Sequence, residues 1–237
     1  MLTQYIILFL ILLSGMVWSV RTRKLTLAGS ITGGIIGFLI FCGAGFTGLA
    51  MMTLFFMMGT AATSWRKSVK ELRGLAEESK EGRTAGQVIA NAGVAGLLAG
   101  CALLFPDKDF LFQLMLAAGF SSAAADTISS ELGNVYGSRY YNILNFKRDT
   151  RGSNGVVSLE GSLFGMAAST VIALVYAIGF GWNKNFFVIV LAGTVGNLLD
   201  SVLGATVERK QQLNNDAVNF CNTLAAAFVA WLLYYFL

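Results

Sequence analysis

The chain reads as an all-α polytopic bundle of about eight transmembrane helices, and three observations carry that reading. Of its 237 residues 55% are hydrophobic and 13% charged, where soluble domains carry about 25% charged residues, and the mean hydropathy is +0.65. Apolar stretches near the roughly 20 residues needed to cross a bilayer recur along its length. The basic residues alternate in a regular way between the loops that separate those stretches.

Taken in order, Leu2–Val20 lacks a basic leader and a small-residue cleavage site, so it is expected to be a retained span. Leu25–Cys42 and Phe46–Ser64 are parted only by Gly43-Ala44-Gly45 and are expected to form a tight hairpin or one re-entrant element. The remaining predicted spans are Thr84–Leu104, Phe110–Ser130, Val156–Gly179, Phe186–Val207 and Asn215–Phe236. A single Pro and 27 Gly suit long helices in close contact. Between Ser64 and Gly82 the chain mixes Lys and Glu and reads as a solvated amphipathic connector. No composition shift divides the sequence, so residues 1–237 are treated as one integral-membrane domain.

With the N-terminus outside, the cytoplasmic loops hold 15 of the 17 Lys and Arg residues, leaving only Lys108 and Lys184 outside. The positive-inside rule favours that orientation. Histidine is absent, which excludes histidine bases and histidine metal sites. The three cysteines lie far apart in apolar surroundings and read as small core residues.

The informative residues are acids near helix ends. Asp126 and Asp200 each lie a few residues before the cytoplasmic end of a span, Glu160 about one turn into another, and Asp216 at the start of the last. At 1.5 Å per residue these fall within roughly 10–15 Å of the cytoplasmic surface. Gln87, Asn91, Asn197, Asn215 and Asn219 lie at a similar depth, so one polar cavity in the cytoplasmic half is expected. An ionisable side chain in lipid is costly and is usually kept for function. Gly193, Gly196, Asp200 and Gly204 follow 3–4–4 spacing, which sets the aspartate in a stripe that a neighbouring backbone can approach. Glu131 lies five residues after Asp126, roughly 140° around a regular helix. The two reach one ion only if the helix breaks near Ser129-Ser130; otherwise Glu131 has a supporting or helix-end role. The segment from Lys147 to Gly155 combines Arg148 and Arg151 with Ser153 and Asn154, which can cap the following helix and offer a phosphate cradle. It lacks the spacing of a Walker A motif.

Five motifs in order resemble one integral-membrane family, which includes plant phytyl-phosphate kinase and the animal transmembrane protein nineteen. They run from Gly82 to Asn91, Ala125 to Gly133, Arg151 to Leu159, Gly196 to Thr206 and Asn215 to Phe220. A fainter likeness to dolichol kinase and CDP-diacylglycerol synthase rests on Asp126, Gly133, Gly137 and Glu160-Gly161, although the lysine those enzymes place before the acid–glycine pair is missing here. The resemblance implies a phosphotransferase that moves a phosphoryl group from a nucleoside triphosphate, with CTP the candidate, to an isoprenyl monophosphate lipid.

Phosphoryl transfer asks for positioning and charge neutralisation, so Mg²⁺ on carboxylates and Arg on phosphates is the expected kit. Asp126 and Asp200 are expected to be catalytic. With Asp216 and Glu131 they are the candidate Mg²⁺ ligands, while Arg83, Arg148, Arg151, Ser153 and Asn154 are the candidate phosphate-binding residues. The expected setting is the plasma membrane of a prokaryote among its lipids, with the site facing the cytoplasm. No nucleic-acid partner is expected, and a homo-oligomer is allowed. The alternatives are an ion-coupled transporter or lipid flippase, and a cytidylyltransferase acting on a lipid phosphate. Transporter sites usually lie at the bilayer midplane between inverted repeats, and here the acids gather on one side with no inverted repeat visible.

Overall fold

The computed structural model describes residues 2–75 and 81–236; Lys80 of the expected connector lies outside them. Its helices are α1 (Leu2–Arg21), α2 (Leu27–Ser64), a short α3 (Lys67–Leu72), α4 (Ala85–Leu104), α5 (Asp109–Tyr136), α6 (Leu159–Phe180), α7 (Asn185–Leu203) and α8 (Asn215–Phe236). A 3₁₀ turn at Pro106–Lys108 links α4 to α5, and a π-helical turn at Gly204–Glu208 extends α7. Among the described residues β structure is limited to Tyr141–Asn142 (β1) paired antiparallel with Val156–Val157 (β2). Seven of the helices are long and apolar enough to cross a membrane. Large side chains such as Leu97, Leu163, Ile178 and Phe187 stand exposed on three different helices, as lipid-facing positions do.

The 38-residue α2 is two arms folded back on each other. Gly45 breaks it with φ +61° and ψ −157°, a region that glycine alone enters freely. A Cβ on Gly37 would lie 2.9 Å from the Met52 Cε, although fifteen helical residues would separate them by about 22 Å on a straight rod. At the other end Lys24 donates to the Ser64 hydroxyl at 2.9 Å. The expected glycine hairpin is therefore present, with arms of full span length. Its turn sits against α4 and α5: Gln113 donates to the Gly43 carbonyl at 3.0 Å, and a Cβ on Gly43 would meet the Ala99 carbonyl oxygen at 2.3 Å.

Helix α5 runs through the middle and touches α2, α4, α6, α7 and α8. Its segment from Ala117 to Ala125 is almost wholly small residues, and these are completely enclosed. Small side chains let α7 come close: Cβ atoms on Gly193 and Gly196 would lie 2.1 and 2.2 Å from the hydroxyls of Ser121 and Ser122. On the other side Gly133 of α5 faces Gly161 of α6 at 3.1 Å by the same measure. Without a hydrophobic driving force between helices in lipid, this close packing supplies much of the cohesion.

The loops that carry the basic residues gather at one end. Thr26 N–H donates to the Arg83 carbonyl at 3.0 Å, Trp65 Nε1 to the Tyr136 hydroxyl at 2.9 Å, and Arg209 Nε to the Asn154 carbonyl at 2.6 Å. The hairpin turn at Gly45 marks the opposite end.

Gly43→Val should lower stability by about 1–3 kcal/mol through overpacking against the α4 backbone, read as a fall in the thermal unfolding midpoint in detergent. Gly100→Ala, where a Cβ meets nothing within 4 Å, should leave the midpoint within error.

Candidate active site

Residues of α5, α7 and α8 at the end where the basic loops gather meet in a polar cavity of about 180 Å³ lined by Asp126, Ser129, Asn197, Asp200, Glu208 and the Ser153–Gly155 loop. The stripe on α7 places Asp200 opposite Asp126, close enough for their carboxyls to hydrogen-bond. Asp200 is oriented from α8, where the buried Asn222 donates to its Oδ1 at 2.7 Å. The Asn222 side-chain Oδ1 in turn accepts from the Ser122 hydroxyl at 3.1 Å. On the other flank Ser129 donates to Asn197 Oδ1 at 3.2 Å. The network thus ties three helices to one carboxylate, and among the described residues no buried side-chain polar atom lacks a partner.

A second cavity of about 370 Å³ continues from Asp126 past Thr127 and Ser130 to Arg83, Gln87, Asn91, Asn215 and Asn219. The polar stripe of α4 is set by a capping box, in which Gln87 N–H donates to Thr84 Oγ1 and Thr84 N–H to Gln87 Oε1. Arg83 approaches the Thr63 hydroxyl at 3.4 Å and is the one cation lining either cavity among the described residues. Against it stand Asp126, Asp200 and Glu208, with Glu131 on the wall already paired with Lys70, so the cavities are acidic.

Glu208 was not expected as a site residue. It follows Asp200 by eight positions and continues the 3–4–4 stripe one step past Gly204. The π-helical turn carries the helix far enough for its carboxylate to line the cavity. Such turns are frequent at functional sites, and the stripe itself was the available signal.

The structure decides between the two alternatives left open for α5 and relocates several of the expected site residues. Helix α5 does not break at Ser129-Ser130; both hydroxyls simply donate back to carbonyls three residues earlier. Glu131 therefore points away from Asp126 and pairs with Lys70 Nζ. Lys70, expected in a solvated connector, is only 1% exposed and also donates to the carbonyls of Ala62 and Thr63. It closes the C-terminal end of α2, where free carbonyls and the helix dipole attract a cation.

The phosphate cradle is built differently from the expected capped loop. Helix α6 is capped by Ser158, which accepts from Gly161 N–H, because Val156 and Val157 are committed to β2. Ser153 and Asn154 do line the acidic cavity, but Arg148 is exposed on the hairpin beside Tyr141. Arg151 donates to the Gly137 carbonyl at 2.9 Å and stacks 4.6 Å over the Tyr140 ring. Neither arginine lines either of the two polar cavities.

Glu160 is likewise outside, accepting from Ser138 N–H and Oγ. Asp216 faces the first turn of α4, 2.9 Å from where a Gly86 Cβ would stand, and lines neither polar cavity. Among the described residues no group of three or more acidic, histidine or cysteine side chains is set to hold a metal. The four-carboxylate set is thus reduced to the facing pair Asp126 and Asp200, with Glu208 nearby.

The loop beside the cavity is pinned by Asp149, which accepts from Arg209 at 2.8 Å and from Asn142 at 3.2 Å. The bond from Arg209, with help from Thr150 N–H, pulls its carboxyl down to about 2 from an ordinary 3.8. A depressed carboxylate contributes stability above its unfolded value and loses it as pH falls through the folded one. Protease sensitivity of residues 137–158 should therefore rise between about pH 4 and pH 2, and Asp149→Asn should remove that pH step.

Lys70→Met should cost about 3–5 kcal/mol by stranding Glu131. Lys70→Met/Glu131→Leu should recover most of that loss in a double-mutant cycle of unfolding.

Residues 10–227 match the family described as Integral membrane protein DUF92. Protein VTE6, chloroplastic, of Arabidopsis thaliana is 34% identical over 223 residues, which cover 90% of this chain and 66% of that protein. An uncharacterised membrane protein of Synechocystis is 33% identical over 202 residues, 83% of this chain and 77% of its own. Protein PGR of Arabidopsis thaliana is 31% identical over 234 residues, covering 86% of this chain and 80% of its own. This chain spans about two thirds of the length of the first of these relatives. No solved structure matches it. With its match running almost end to end, the chain belongs to the DUF92 family of integral membrane proteins, where its five ordered motifs had placed it.

Proposed function

We propose that this protein is a membrane-embedded prenyl-phosphate kinase, transferring the terminal phosphoryl group of a nucleoside triphosphate, with CTP the candidate, to an isoprenyl monophosphate. One observation carries the reading: the facing pair Asp126 and Asp200 lines a polar cavity that adjoins, at Asp126, a second one whose far end, at Arg83, Gln87 and Asn91, also borders an apolar cleft. A phosphorylated lipid and a soluble nucleotide fit such a passage from two sides. The gathering of basic loops at the same end supports a site open to the cytoplasm, in a prokaryotic plasma membrane.

The donor set fits Mg²⁺. All the groups are hard oxygens, and that ion is commonly held by one or two carboxylates with substrate phosphates completing its shell, which is what Asp126 and Asp200 offer. When bound, the ion would neutralise phosphate charge as it shifts during transfer. The chain's residues do the rest. An acidic cavity repels a bare triphosphate, so the carboxylates make nucleotide binding depend on a divalent cation. In this reading Arg83 holds the acceptor phosphate, and Ser153 and Asn154, which line the acidic cavity, meet the nucleotide's phosphates.

An acceptor phosphate oxygen forms the new bond to the terminal phosphorus. The bridging P–O bond breaks, and its electron pair leaves with the nucleoside diphosphate. A phosphate monoester has its second pKa near 6 and is already largely dianionic at pH 7, so no base is needed. That accords with a chain that has no histidine.

Purified protein supplied with Mg²⁺, labelled nucleotide and prenyl monophosphates should form the corresponding diphosphates and release nucleoside diphosphate. Asp126→Asn and Asp200→Asn should each lower kcat by roughly 10²–10³-fold. Glu131→Gln, assayed on folded protein, should change it little. Release of pyrophosphate would point instead to a cytidylyltransferase, and nucleotide-independent flux in proteoliposomes to a transporter.

A further inference from the structure

The apolar cleft has an occupant that its position selects. It measures about 330 Å³, within the roughly 300–1,000 Å³ of small-molecule sites. Its walls come from α1 (Leu12, Met16), the first arm of α2 (Gly33, Gly34) and the second arm (Met52, Phe56). Its polar end is formed by Arg83, Gln87 and Asn91, which are also the residues that border the acidic passage. A cleft that is hydrocarbon along its length and cationic at one end is complementary to an anionic lipid with its head toward Asp126. It is not complementary to a nucleotide or to a free ion.

We propose that this cleft holds the head-proximal part of the isoprenyl tail, with the tail's phosphate at Arg83. The proposal rests on the kinase reading for the identity of the lipid. Along α1 the cleft runs from Ser19 to Ile11, eight residues or about 12 Å. That is less than half of the roughly 30 Å hydrocarbon thickness. Only the first few isoprenoid units are enclosed, and the rest of a long tail lies in the bilayer beside α1, whose outer face is exposed along its length. The cleft then reads the branched, head-proximal end of the lipid and is indifferent to tail length beyond it.

Two glycines make the cleft testable. Gly15 on α1 and Gly33 on α2 both line it, and at each a Cβ would meet nothing within 4 Å. A large side chain there fills the cleft without a backbone clash. Gly33 lies four residues above Gly29, whose Cβ would touch the Arg83 carbonyl at 2.6 Å, so a filler at Gly33 sits about 6 Å from that level along the helix.

Gly33→Phe and Gly15→Phe, in full-length protein in nanodiscs, should each raise KM for a twenty-carbon prenyl monophosphate by roughly tenfold or more. KM for the five-carbon dimethylallyl monophosphate should move far less. Gly100→Phe, placed where space is open but away from the cleft, should leave both unchanged. A benzophenone-tailed prenyl monophosphate should photolabel peptides from α1 and α2 in the parent protein, without nucleotide, and lose that labelling in both Phe variants. Unchanged KM values and unchanged labelling in both variants overturn the cleft assignment while leaving the kinase reading standing. Labelling of the cleft by a prenyl monophosphate that no nucleotide phosphorylates supports the cleft and overturns the kinase reading.

Discussion

Everything in this molecule depends on how closely helices can approach α5. In hydrocarbon there is no water to expel between helices, so cohesion comes from van der Waals contact and from hydrogen bonds that leave nothing unpaired. The Ala- and Ser-rich middle of α5 and the glycines Gly193 and Gly196 of α7 bring those two backbones together. The same approach places Asp200 against Asp126. Packing and site geometry are one event here: a bulkier residue at Gly196 would strike the Ser122 hydroxyl and the Ala226 methyl, and so disturb the α8 asparagine that orients Asp200.

Polar satisfaction is the second half of the same constraint. Asn222, Ser122, Asn197 and Ser129 form contacts that serve the fold and also restrict where the carboxylates point. At the end that gathers the basic loops, Lys70 satisfies the carbonyls at the end of α2 and neutralises Glu131. A carboxylate with a fixed cation has little left to offer a metal, whereas among the described residues Asp126 and Asp200 face each other, an amide and the open cavity.

Much of this was legible in the sequence, and what was not has physical causes. Apolar length gives the helices, and Gly43-Ala44-Gly45 gives the hairpin. The helical phase of α7 puts Asp200 on an inward glycine stripe. Helical phase also turned Glu131 away from Asp126, but its partner could not be foreseen, because Lys70 belongs to a segment whose composition looks solvated. Burying it depends on α3 folding back beneath α2, a tertiary event with no local periodicity. Arg148 and Arg151 stand outside the two polar cavities, although a basic, glycine-containing loop reads as a phosphate cradle. The β1–β2 pairing, however, turns Arg148 outward, and the end of α5 captures Arg151. Glu208 was hidden by a π-helical turn, since a regular helix was taken to end one residue earlier.

The hairpin of α2 has a further consequence. It leaves α1 leaning mainly on α2, while α5, α7 and α8 lock the acidic pair together through contacts that α1 does not share. Substitutions without common partners act almost independently. The outer wall of the cleft can therefore drift in shape and bulk over evolutionary time while the carboxylates stay where they are. On the proposed reading, relatives with the same inner helices and different first helices would differ in which lipids they admit rather than in the carboxylate pair.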